Sequence, residues 1–122
     1  MNITLWVGQG LLAVVFAVSG ALKSTQSRDR MIETGQTAAK IMPLPVMRVA
    51  GVSELVGVLG VLVPWATGIA RVLTPVAAAG FAVIMVCAAM IHSRLREPRA
   101  IATNAAIFVV AVLVSWGRFA DL

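Results

Sequence analysis

The sequence predicts an all-α membrane protein: a four-transmembrane-helix bundle with an interfacial amphipathic helix between the first and second spans. Of the 122 residues, 60% are apolar and only 12% are charged, where a soluble domain carries about 25% charged residues. The apolar residues gather into four stretches of about 20, the length that crosses a hydrocarbon core about 30 Å thick. So few ionisable side chains cannot solvate the surface of so much apolar mass, and the remaining surface must face lipid. The length suits one domain, residues 1–122.

The first span covers about 3–22 and ends at Lys23. Met1 to Trp6 carries no Lys or Arg, so this run reads as a retained span and not as a secretory signal. The second covers about 46–63, with Pro64 expected to stop it and Trp65 to Gly68 forming a turn. The third runs over about 72–91, with Thr74 and Pro75 in its first turn, where proline is tolerated. The fourth covers about 100–116, with Gly117 as its stop. Long Val-rich runs favour strands in water, but in lipid each segment must satisfy its own backbone, which selects helices.

Between the first two spans lies the one sizeable polar segment, 24–45. Met31, Ile32, Gly35, Ala38, Ala39 and Met42 recur at the spacing of one helical face, while Arg28, Asp29, Glu33, Gln36 and Lys40 fall elsewhere. Ser27 can cap the start and Pro43 the end, which predicts an amphipathic helix lying in the membrane interface; a loop is the alternative, since Gly35 costs about 1 kcal/mol in a helix.

Ten Lys and Arg against five Asp and Glu give a net charge of +5. Their placement sets topology and does not signal nucleic acid. Lys23, Arg28, Arg30, Lys40, Arg48, Arg94, Arg96 and Arg99 cluster around two loops, and only Arg71 and Arg118 lie at the opposite end. The positive-inside rule puts the basic loops in the cytoplasm and both termini outside, in the inner (plasma) membrane. Trp6, Trp65 and Trp116 then fall at the outer ends of their helices, as an aromatic belt requires. The single cysteine, Cys87, excludes an intrachain disulfide, and with one His there is no metal-ligand set.

Glu54 is the most informative residue. It lies eight positions into the second span, about 12 Å below the boundary. A bare carboxylate there costs about 2.5 to 3.5 kcal/mol, so it must face the bundle and be paired or protonated. Arg48 is six residues away, about 120° round the helix and about 9 Å along it, a poor partner within the same helix. Lys23, His92 and Asn104 share its end of the bundle and are candidates to converge on it. Such a cluster serves either as a proton, quinone or headgroup site or as polar glue between helices. Gly20 on the first span and Gly51, Gly57 and Gly60 on the second, with Ser53 four residues before Gly57, read as helix-packing positions. After Asn104 the fourth span is apolar until Ser115, which offers a docking face around Ala106 and Ala111.

Gly20 and Lys23 closing the first helix, Arg48-Val49-Ala50-Gly51-Val52-Ser53-Glu54-Leu55-Val56-Gly57 opening the second and Pro64 ending it together resemble the DoxX-like family of small four-helix membrane proteins. Asn104 and Gly117-Arg118 are in keeping with it. The family takes its name from a subunit associated with a thiosulfate:quinone oxidoreductase, and relatives are assigned to redox complexes, to assembly of other membrane proteins and to cargo handling. This chain lacks paired cysteines, haem-ligand His pairs and a soluble catalytic domain, so catalysis by it alone is not expected. The resemblance implies a non-catalytic accessory subunit of a larger membrane complex, such as a lipid or other transporter, with membrane lipid and other integral membrane subunits as partners and no cofactor. The alternative is a quinone-linked oxidoreductase subunit in which Glu54, assisted by Lys23 or Arg48, binds the quinone head.

Overall fold

The computed structural model describes residues 1–122. Its elements in chain order are helix α1 (Asn2–Thr25), the short helix α2 (Arg28–Glu33), a 3-10 turn (Thr37–Lys40), and helices α3 (Leu44–Thr67), α4 (Leu73–Arg94) and α5 (Pro98–Ala120). The four long helices are all long and apolar enough to cross a membrane. Around the bundle the order is α1, α3, α4, α5: α1 packs chiefly on α3 and α4 on α5, with lighter α3–α4 and α1–α5 contacts closing the ring. Phe16 of α1 and Phe81 of α4 stack across the centre with ring centroids 3.9 Å apart. Leu12, Val61, Met85, Ala111 and Val114 surround them, so every long helix supplies the core. Both termini lie at one end of the bundle; the 26–43 segment and the Leu95–Glu97 turn lie at the other, called here the loop end.

Each helix overruns its expected bounds, and the second does so through a proline. Pro64 does not stop α3: the helix continues to Thr67 and ends where Gly68 turns left-handed at φ +74°. Pro64 has no N–H for the Gly60 carbonyl one turn back. The Thr74 hydroxyl of α4 supplies the missing bond, donating to Gly60 O at 3.0 Å. The neighbouring Val61 carbonyl accepts from Gln9 Nε2 at 2.8 Å. Proline is tolerated in a membrane helix when neighbouring helices satisfy the freed carbonyls in this way. Gly117 is likewise no stop; it lies inside α5, buried against Leu5 of α1.

The 26–43 segment is two short pieces and not one amphipathic helix. Ser27 caps α2, its hydroxyl accepting from Arg30 N at 3.2 Å, but the chain breaks at Gly35, which takes φ +96°, a conformation that glycine adopts without strain. Arg28 closes the segment by donating to the carbonyls of Ala39 and Lys40 at 2.7 and 2.8 Å. Met31, Ala39 and Met47 bury together beneath it. Of the apolar positions Met31 and Ala39 are buried and Ile32, Ala38 and Met42 half-buried, while Gly35 is exposed and the polar Gln36 is half-buried.

The glycines divide between two interfaces. Gly20 and Gly51 meet where α1 crosses α3, and a Cβ on Gly51 would stand 2.9 Å from the Gly20 carbonyl oxygen. Gly57 and Gly60 face α4, against Phe81 and Ala77. Ser53 plays no part in packing: it is exposed and its hydroxyl donates to its own helix at Ala50 O.

Candidate functional site

At the loop end, Glu54 points inward from α3, fully buried. Lys23 Nζ donates to both carboxylate oxygens, at 3.2 and 3.0 Å, and Ser19 Oγ donates to Oε1 at 2.8 Å. Ser19 and Lys23 are four residues apart on α1, so one face of that helix carries both donors. Lys23 reaches this position because α1 runs a turn past its expected end to Thr25. Arg48 has a different task. Its Nη1 donates to the Lys23 carbonyl at 2.9 Å, a cation on the open carbonyls at a helix C-terminus, where both hydrogen bonding and the helix dipole favour it.

His92 and Asn104 do not bond to Glu54. His92 Nδ1 lies 2.7 Å from Glu97 Oε1 in the α4–α5 turn, and Thr37 Oγ1 from the 3-10 turn donates to the same oxygen at 2.8 Å. An ionised carboxylate only accepts, so Nδ1 carries the proton. The hydrogen bonds from His92 and Thr37, aided by the charges of His92 and Lys40, hold the Glu97 carboxyl below its ordinary value of 4.5 against the opposing effect of burial. A carboxyl lowered on folding stabilises the fold above its unfolded value, and that contribution disappears as pH falls through the lowered one. Acidification below about 4.5 should therefore release Thr37–Lys40 from the bundle, seen as faster amide exchange there after correction for intrinsic rates. Glu97→Gln should show the same loosening already at neutral pH; equal protection in variant and wild type would refute the pinning role.

Asn104 is 8% exposed, and its Nδ2 is buried without a hydrogen-bond partner. It lines a cavity of about 360 Å³ between α1, α4 and α5, together with Ser19, Lys23, Gln36, His92 and Thr103. A second cavity of about 370 Å³ lies on the α3–α4 side beneath the 26–43 segment and shares Lys23, Gln36 and His92 with the first. The sequence candidates thus form three adjoining groups: a closed ion pair, a pinned turn and a cavity wall.

A polar cluster at the terminal end centres on Arg118; from sequence Gln9 is a candidate for interhelical bonding, but nothing marks Arg118 as buried. Arg118 on α5 is 1% exposed. Its Nε donates to Gln9 Oε1 at 2.7 Å and its Nη1 to Asn2 Oδ1 at 2.9 Å, with Asp121 at 3.4 Å. The guanidinium also lies 4.4 Å from the Trp65 ring centroid, whose ring is in turn 3.9 Å from the Arg71 guanidinium. Gln9 spends its amide nitrogen on Val61 O and its oxygen on Arg118, so one side chain ties α1 to both α3 and α5. Of the three tryptophans only Trp116 is exposed; Trp6 and Trp65 are partly buried, with Arg118 stacked over both rings. Ser115 donates to Pro75 O at 2.9 Å, and Ala111 is fully buried. The outer half of α5 therefore has inward polar duties, and Ala111 belongs to the core and not to a docking face. A buried Gln in the first span and an Arg near the end of the last were the available signals.

The family model for the DoxX-like family matches residues 7–114. No curated protein and no solved structure matches the chain.

Proposed function

The chain belongs to the DoxX-like family, and on that premise we infer that it is a non-catalytic accessory subunit of a larger membrane complex, such as a lipid or other transporter. The observation that carries this is the closure of Glu54. Its side chain is 1% exposed, its oxygens are taken by Ser19 and Lys23, and it lies outside both loop-end cavities. A carboxylate that acts on a substrate or binds a quinone head must be presented to it, and here Lys23 or Ser19 would first have to leave. Glu54 instead acts as a clamp between α1 and α3, with the Gly20–Gly51 crossing beside it.

The outward face suits an integral membrane partner. Val49, Val52, Val56, Leu59 and Val63 form an exposed stripe along α3 at three- and four-residue spacing. β-branched side chains are stiff, so a partner helix packing there orders little. The loop end, with eight of the ten Lys and Arg, belongs in the cytoplasm of a cell whose inner (plasma) membrane holds the protein. A reporter active only in the cytoplasm, fused after Leu122, should stay silent. A photo-crosslinking residue at Val56 should capture one recurrent integral membrane protein in native membranes. Lipid adducts alone from Val56, with a chain that leaves the membrane in mild detergent as an isolated protomer, would overturn the assignment.

A further inference from the structure

We propose that the cavity between α1, α4 and α5 binds the carboxyl head of a single-chain amphiphile, a long-chain fatty acid, whose tail leaves along the seam between α1 and α5. The cavity, at about 360 Å³, is at the small end of ligand pockets, which run from about 300 to 1,000 Å³, and holds a head with a few carbons. The rest of the ligand needs an exit. At Val15 and Ile107 the cavity wall continues into a groove of about 160 Å³ lined only by apolar side chains, among them Leu11, Ala106 and Val110. That groove runs where the α1–α5 contact is lighter than those of α1 with α3 and α4 with α5. It leads from the polar cavity toward the middle of the bilayer, the direction an acyl chain takes.

The head is specified by Asn104. Its side chain is more than nine-tenths buried, and Nδ2 has no partner. A buried polar group left unsatisfied is costly, and each such group calls for a partner. No protein hydrogen bond holds the amide, so a half-turn about its last bond exchanges its donor and acceptor ends. Asn104 also lines a cavity of about 590 Å³ between α4 and α5, but only the one shared with α1 adds Lys23 and Ser19 to its wall. Protonated, a carboxyl group complements either arrangement, since it returns one donor and one acceptor; ionised, it accepts from Nδ2. Lys23 on the same wall has three donor protons, two of which are directed at Glu54, and the third is free for the ligand. The Lys23–Glu54 pair sums to no net charge, which suits a monoanion or neutral acid better than a dianionic phosphate.

The test uses the purified full chain in lipid nanodiscs with a diazirine-bearing palmitic acid, so it does not depend on any partner subunit. Labelling should saturate and map to α1 and α5 near Val15 and Ile107. Asn104→Leu should weaken binding about tenfold or more, as the loss of one buried hydrogen bond to a carboxylate does. Ile107→Trp, which plugs the seam, should do the same, while Val109→Trp on the exposed face of α5 leaves binding unchanged. Asn104→Gln gives a second reading of the amide should the leucine variant fold poorly. Unlabelled palmitate should compete, and its methyl ester about tenfold less well. Equal labelling of all variants, or adducts mapping elsewhere, would refute the site. An ester that competes equally, or a lysophosphatidic acid that competes better, would refute the carboxyl head.

Discussion

Glu54→Leu should destabilise the bundle by about 2 to 4 kcal/mol, measured as unfolding in mixed micelles. Removing one partner of a buried ion pair costs about 3 to 5 kcal/mol, because the other charge is left without compensation. The figure is set lower here because the Lys23 side chain is 15% exposed and sits in the last turn of α1, from which it can extend toward the interface. Lys23→Met should cost a comparable amount, leaving Glu54 with only Ser19. The double variant should recover much of the loss, since a buried pair is often replaced by apolar side chains at little net cost. A coupling of about 1 kcal/mol or more identifies the pair as the clamp between α1 and α3. Strict additivity would mean that the two charges act separately. Under the accessory-subunit assignment the double variant also still assembles with its partner, since the charges serve the fold.

The four spans were legible because lipid leaves the backbone one local solution, and runs of apolar residues mark where it applies. That Glu54 needs a polar partner was legible for a related reason, since a carboxylate in an apolar run must be paired or protonated. Depth alone leaves Lys23, His92 and Asn104 as equal candidates, and only the packing of α1 on α3 selects Lys23. The errors lie where one helix depends on another. Pro64 stops an isolated helix, and only the Thr74 hydroxyl from α4 and the Gln9 amide from α1 let α3 pass through it. Such partners are 10 to 55 residues away and leave no local trace. Arg118 reads from sequence as an interfacial charge near the chain end. Its burial requires Asn2, Gln9 and Trp65 from two other helices to meet it. In the 26–43 segment the periodicity suits one interfacial helix and Gly35 is the argument for a loop; the chain does break there, because a glycine at helical spacing is equally compatible with a left-handed turn. Depth alone puts His92 near Glu54; the three-residue turn to α5, with Arg96 at φ +57°, instead presents Glu97 to it.

Gly51→Val should prevent folding of the bundle or leave a sharply reduced yield of folded protein in detergent. A Cβ at position 51 would lie 2.7 Å from Lys23 Cβ, 2.8 Å from Ser24 Oγ and 2.9 Å from the Gly20 carbonyl oxygen. Ser24 Oγ can rotate away, but the Gly20 carbonyl is backbone in the middle of a helix and cannot move alone. Relief comes only if α1 and α3 separate, and separation also lengthens the Lys23–Glu54 contact, three residues away along α3. Overpacking a core costs about 1 to 3 kcal/mol when side chains can give, and here they are not what must move. Gly20→Val meets the reciprocal obstacle, with its Cβ 2.8 Å from the Gly51 carbonyl oxygen, so the two variants should fail alike and should not rescue each other. Gly80 on α4 is the control, since a Cβ there meets nothing within 4 Å; Gly80→Ala should be neutral or stabilising by about 0.5 to 1 kcal/mol through helix propensity. If Gly51→Val folds with the yield and thermal midpoint of Gly80→Ala, the close crossing of α1 and α3 does not hold the ion pair in place, and the clamp must be sought among the side chains alone.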